Sequence, residues 1–207
     1  MGECISYTWT IIGRRRFFLE QYDPWQQCKT RSGLAADEVI SALQKEIRRN
    51  NVDNAALLAY EMLLTSKELE DFLWLRLQVI SVEDVGFGNL QAPILINTLN
   101  QLRRNLPLGS SDRNLFAIHA VRCLCSSPKD RSSDEMLNWI KKSYASDSLR
   151  PNIPPYALDK HTLRGQQEGK NDLDFYNEGA RVSPELKGRD TTYLQRLRAL
   201  IDESEQK

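Results

Sequence analysis

Between residues 37 and 146 the apolar positions return every three or four residues, segment after segment. That period leaves little but packed helices as a fold. In the first segment Val39, Ile40, Leu43 and Ile47 form one stripe, and in KELEDFLWLRLQVISVE the stripe is Leu69, Phe72, Leu73, Leu77 and Ile80. A half-buried strand would alternate with period two, and no convincing stretch does so. The punctuation agrees with helices. Asp37 is placed to cap the first, Asp53 the second (NAALLAYEMLLT), Ser66 the third, Ser111 or Asp112 the fifth (RNLFAIHAVRCLCSS) and Ser133 the sixth (DEMLNWIKKSYA), because short polar side chains accept from free N–H groups at a helix start. The fourth lies around APILINTLNQLRR, with Pro93 tolerable in its first turn. Asn50 and Asn51 end the first helix, Gly86 or Gly88 the third, and the fifth stops near Pro128. The second helix is apolar on most faces, which predicts a central position.

Residues 1–34 lack this period and contain Pro24 and Gly33, so they are expected to form a tail that packs through Trp25. After residue 146, Pro151, Pro154 and Pro155 enforce extended backbone. Residues 147–207 are therefore a proline-containing linker and helical extension, broken by Gly165, Gly169 and Gly179 and closed by the amphipathic TTYLQRLRALIDESE. The expectation is an all-α chain: a compact bundle of about six helices over 35–146 and an irregular, partly helical C-terminal extension.

Lys plus Arg equal Asp plus Glu at 28 each. A balanced sum argues against a chain-wide nucleic-acid or membrane field, although local basic patches survive it. No run approaches the roughly 20 apolar residues of a membrane span. Cys4, Cys28, Cys123 and Cys125 are too few and too unevenly placed for a disulfide scaffold. The arginines at 14–16 follow the apolar stretch at the start of the chain, the reverse of a secretory signal. A reducing cytoplasm is the expected location. MGECIS also fits the myristoylation pattern through Gly2 and Ser6, yet one acyl chain anchors only weakly, and a frayed terminus is the simpler reading.

There is no G-x-x-x-x-G-K-[ST] loop, and Gly86-Phe87-Gly88 follows a helix instead of opening one after a strand. His119, Cys123 and Cys125 form H-x3-C-x-C, but on a helix Cys125 lies about 200° round from Cys123, which favours packed cysteines over metal ligands. His161 stands alone. With two histidines and no nucleophile setting, no catalytic residue, cofactor or metal is expected, and no enzyme. Arg48, Arg49, Arg103, Arg104 and Lys129 are the candidate DNA contacts; for the arginine pairs, charge at a helix C-terminus is the simpler account.

Glu83 and Asp84 are the remaining chemical signal. Neighbours on a helix point about 100° apart, so they do not form the facing pair of an acid/base dyad. A carboxylate near a helix C-terminus opposes the dipole unless it caps the next helix or holds an arginine, for which Arg48 and Arg76 are candidates. The pair is expected to be a polar clasp between helices.

These residues carry a family resemblance. Lys45-Glu46-Ile47-Arg48, then Val52-Asp53-Asn54-Ala55-Ala56-Leu57, then Val82-Glu83-Asp84-Val85-Gly86 with Asn89, and later Pro128-Lys129, follow in an order and spacing that resembles the C-terminal helical region of the replication-associated recombination AAA+ ATPases. Those are the bacterial relatives of the Werner-helicase-interacting protein. The resemblance covers about 37–145, and IPPYALDKHTLRGQQEGKNDLDFYNEGA looks like a divergent branch of the same family. Asn54 stands where the family usually has Asp. The resemblance implies a helical homotetramer acting at stalled replication forks, near single-strand-binding protein and gapped DNA. It marks Lys45, Arg48, Asp53, Glu83, Asp84 and Gly86 as structural or interface residues. No counterpart of the family's ATPase module occurs in these residues, so the implied role is assembly, in DNA replication or repair. The implied partners are further copies of the chain, a separately encoded AAA+ ATPase or a replication-fork protein, with DNA as the alternative and no membrane.

Overall fold

The computed structural model describes residues 23–205. Gly2, Cys4, Ser6, the arginines at 14–16 and most of the N-terminal tail lie outside them. The described residues form helices and turns with no strand, only a single antiparallel bridge between Lys29 and Ala35. They divide into two compact units, one up to Lys141 and one from Lys142 onward.

In the first unit, α1 spans Ala36–Arg48, α2 Val52–Thr65, α3 Lys67–Ile80, α4 Ala92–Arg103 and α5 Ser111–Ser126; α6, Ser132–Ala145, runs across the boundary. Asp37 does not cap α1: Ala35 holds the cap position and Asp37 lies in the first turn. The preceding loop makes a side-chain cap unnecessary, since the Ala36 N–H donates to the Cys28 carbonyl at 3.0 Å. That loop is held to α2 by Ser32, whose N–H and Oγ donate to Glu61 at 2.7 and 2.9 Å. Hydrogen bonds from Thr30 and then Ser32 keep the Glu61 carboxyl below its usual range. Trp25 stacks on Phe72 of α3 with ring centroids 5.1 Å apart, so the described end of the tail packs through that ring.

Asn50 ends α1 with φ +61°, and the N–H groups of Asn50 and Asn51 return to the carbonyls of Ile47 and Glu46 at 3.1 and 2.9 Å. This paired return satisfies the last free carbonyls and reverses the chain within two residues. Because the reversal is so tight, α2 begins at Val52, and Asp53 is an exposed first-turn acid, not the cap expected of it. Ser66 does cap α3, accepting from the Leu69 N–H at 3.1 Å. The α5 cap is Ser110, one residue ahead of the expected pair. The helix after Pro128 starts two residues before the place a Ser133 cap implies, at Ser132, whose N–H donates to Asp130 at 3.0 Å.

The core joins Leu43 and Ile47 of α1, Ala55, Ala59 and Met62 of α2, Leu73, Trp74, Leu77 and Ile80 of α3, Ile96 of α4, and Ala117, Ala120, Val121 and Leu124 of α5. Each large apolar side chain buried this way contributes roughly 1.5–3 kcal/mol. The small residues on α2 and α5 let those helices approach closely. α2 is not surrounded, however: Leu57, Tyr60 and Leu64 stay exposed on its outer side.

In the second unit, a 3-10 turn Pro155–Ala157 precedes α7 (Leu163–Gln167), α8 (Asp172–Asp174) continues into a π-helical turn Phe175–Gly179, and α9 spans Thr192–Glu205. His161 meets Asp159 at 3.2 Å and packs edge-on against Phe175. Among the described residues no helix is long and apolar enough to cross a membrane.

Candidate functional site

Two ionic centres tie the first unit together. The first is built on the acid pair. After α3 the chain widens into a π-helical turn, Ser81–Val85, closed by the Gly86 N–H on the Ser81 carbonyl. Asp84 is fully buried and accepts from Arg48 Nε, from Arg131 Nη1 at 2.8 Å and from Gln44 Nε2 at 2.8 Å. Glu83 accepts from the same two arginines at 3.3 Å each. Arg131 also pairs with Asp134, and Arg76 reaches the centre through Gln44 Oε1. The clasp thus joins α1, the π-turn and the segment before α6.

Glycine makes this junction possible. Gly86 has φ +49°, and a Cβ there would sit 2.4 Å from the Asp130 carbonyl oxygen; at Gly88 one would sit 2.3 Å from that of Pro128. The segment 128–130 therefore lies directly on the turn, and the Asp130 N–H donates to the Asp84 carbonyl at 3.0 Å.

The second centre is a knot beneath the opposite end of α3. Glu70 Oε1 accepts from Arg103 Nη1 and Arg113 Nε, both at 2.7 Å. Arg103 gives its remaining directions to Asp71 at 2.7 Å and Asn100 at 3.0 Å, and its guanidinium lies 5.5 Å from the Trp74 ring centroid. Arg113 Nη1 donates to the carbonyls of Arg103 and Leu106, both at 3.0 Å, which binds the end of α4 to the start of α5.

The expected DNA contacts separate sharply. Arg103 is buried, and each of its three guanidinium nitrogens donates to a partner inside the protein. The Lys129 ammonium donates to the carbonyls of Leu124, Cys125 and Ser127, so it closes the C-terminus of α5, and burial pushes its pKa down. Arg48 is engaged in the clasp. Only Arg49 and Arg104 of that set stay exposed without a carboxylate partner, Arg49 touching the Lys45 carbonyl at 3.1 Å. Lys45 itself is exposed and donates to Ser41 of its own helix.

His119 and Cys123 approach to 3.5 Å, while Cys125 turns into the core, where burial pushes its thiol up to about 11. No group of three or more His, Cys, Asp or Glu suited to a metal ion occurs among the described residues. Chemically, Asp84 is shared by two cations and an amide, which fixes it as an acceptor inside the fold.

Two apolar faces remain on this unit. Leu57, Tyr60 and Leu64 form one on α2, at the i, i+3, i+7 spacing of a helix-packing seam. Val82, Phe87, Leu90, Ile94 and Leu137 are the exposed apolar residues around the clasp, beside a groove of about 520 Å³ lined by Val79, Val82 and Leu137 with Glu83 and Asp134.

No protein-family model matches the chain, and no curated protein matches it either. The resemblance to the recombination ATPases therefore stands on the motifs alone.

Proposed function

We propose that the first unit is a self-assembling helical module of DNA replication or repair, comparable to the C-terminal region of the replication-associated recombination AAA+ ATPases, with the homotetramer as its working state and no chemistry of its own. The observation that carries this reading is the pair of uncovered apolar faces, on α2 and around the clasp. A dihedral tetramer needs two different self-complementary contacts, whereas a dimer needs one. Single exposed apolar residues are ordinary; contiguous groups of this kind mark interaction surfaces. The ordered motifs at Lys45–Arg48, Val52–Leu57 and Val82–Gly86 supply the link to replication. A separately encoded AAA+ ATPase or a replication-fork protein is the partner this reading calls for.

The test is the mass of the whole chain in solution by light scattering. The reading expects four times the 23.9 kDa chain mass at micromolar concentration. Leu57→Glu with Leu64→Glu should reduce the tetramer to a smaller, folded species. A monomer at all concentrations would end the proposal.

A further inference from the structure

Between α3 and α4 lies a cleft of about 510 Å³ that borders the knot at Asp71, Arg103 and Arg113. It runs from Gln78, whose amide meets Asn97 at 3.5 Å, past Leu75 and Asp71 to Lys67 and Arg104. Its volume falls in the range of small-molecule sites, about 300–1,000 Å³.

The charge in this cleft does not balance. Glu70 and Asp71 are matched by Arg103 and Arg113, which leaves Lys67 and Arg104 as surplus cations. Neither has an ion-pair partner within 4 Å among the described residues, in a chain whose total charge is zero. The inner wall adds further donors. Asn100 is 6% exposed and lines the cleft; its Oδ1 accepts from Arg103 Nε, and its amide N–H2 is not spent on that bond. Arg113 is 7% exposed and spends Nε and Nη1 inward, so Nη2 is its unmatched nitrogen. Two exposed cations, Lys67 and Arg104, and two nearly buried donor residues, Asn100 and Arg113, line one space. The group that answers this set carries negative charge on several acceptor oxygens.

We propose that the cleft between α3 and α4 is a binding site for a phosphate group, with Asn100 and Arg113 as the inner donors and Lys67 and Arg104 as the charge at the entrance. The site is independent of the assembly reading, since neither apolar face contributes to it. The phosphate can belong to a small phosphate monoester or to the backbone of a single-stranded nucleic acid; Leu75 and Gln78 offer a mixed wall to whatever adjoins it.

Titration of the isotopically labelled full chain tests the site, with the side-chain amide resonances of Asn100 as the readout. The probes are inorganic phosphate, adenosine monophosphate and a short oligothymidylate, with chloride at matched ionic strength as control. The expected result is a saturable shift of the Asn100 amide with at least one phosphate probe and none with chloride. A monophosphate that saturates at lower concentration than the oligonucleotide identifies the small ligand, and the reverse order identifies the nucleic-acid backbone. Lys67→Ala with Arg104→Ala, two exposed positions whose loss leaves the knot intact, should weaken the binding about tenfold or more. No shift with any phosphate probe, or equal binding by the double variant, overturns the proposal.

Discussion

The clasp and the knot use one device in two environments. Each shares one buried carboxylate between two arginines, and each joins segments far apart in sequence. In the knot Arg103 and Arg113 have side chains only 2% and 8% exposed, whereas Arg48 and Arg131 in the clasp remain 28% and 29% exposed. Water therefore still solvates the cations of the clasp. The knot has replaced that water with carboxylates, carbonyls and the Trp74 ring. Removing the shared acid therefore leaves a buried cation without a carboxylate in the knot, and hydrated cations in the clasp.

Glu70→Ala gives the sharpest test of that difference. It leaves the buried Arg113 with no carboxylate and Arg103 with Asp71 alone, whose side chain is 52% exposed, and the loss should be about 3–5 kcal/mol in urea unfolding. Against a total of about 5–15 kcal/mol for a domain, the variant should be marginal or unfolded. Asp84→Asn keeps the volume of the side chain and removes its charge. Glu83 and Asp134 stay as alternative acceptors for Arg48 and Arg131, so the loss should be smaller, about 3 kcal/mol at most. If Asp84→Asn proves the more damaging of the two, solvent access is not what separates the centres.

How the two centres could be seen in the sequence differs as well. Helix content and most of the core follow from the 3.6-residue stripes, because apolar burial fixes which face turns inward. The caps of α1 and α2 moved by two residues, because the Cys28 carbonyl takes the Ala36 N–H at the start of α1 and the tight Asn50–Asn51 return at its end lets α2 begin early. For the clasp, the misplaced acids at a helix end announced a cation, and Arg48 is there; Arg131, nearly fifty residues further on, had no local signal beyond the need for a second positive charge. The knot had none at all. Glu70 looks like one more acid on a charged helix, and Arg103 like helix-end charge, because burial in both depends on where α4 and α5 cross α3.

Gly86→Ala probes the backbone side of the clasp without touching a charge. It adds a Cβ 2.4 Å from the Asp130 carbonyl oxygen at a φ that L side chains rarely adopt. The expected cost is about 2 kcal/mol, as a lower thermal midpoint. A neutral result would mean that the 128–130 segment can lift away, and that the ionic contacts alone hold Arg131.

The smallest effect should come from Lys45→Ala. The resemblance marks Lys45 together with Arg48, yet the two differ as the knot and clasp do, one step further toward solvent. Arg48 spans to the acid pair, while Lys45 donates only to Ser41 one turn earlier on α1. An exposed side chain that contacts only its own helix changes stability by no more than about 0.5 kcal/mol. Lys45→Ala should therefore leave the unfolding midpoint of the first unit unchanged, while Arg48→Ala lowers it. If Lys45 instead meets a neighbouring copy, its loss will register as a fall in assembled mass on dilution, with the unfolding midpoint of the dissociated chain unmoved; measuring both quantities on one variant separates a residue that holds the fold from one that holds the assembly.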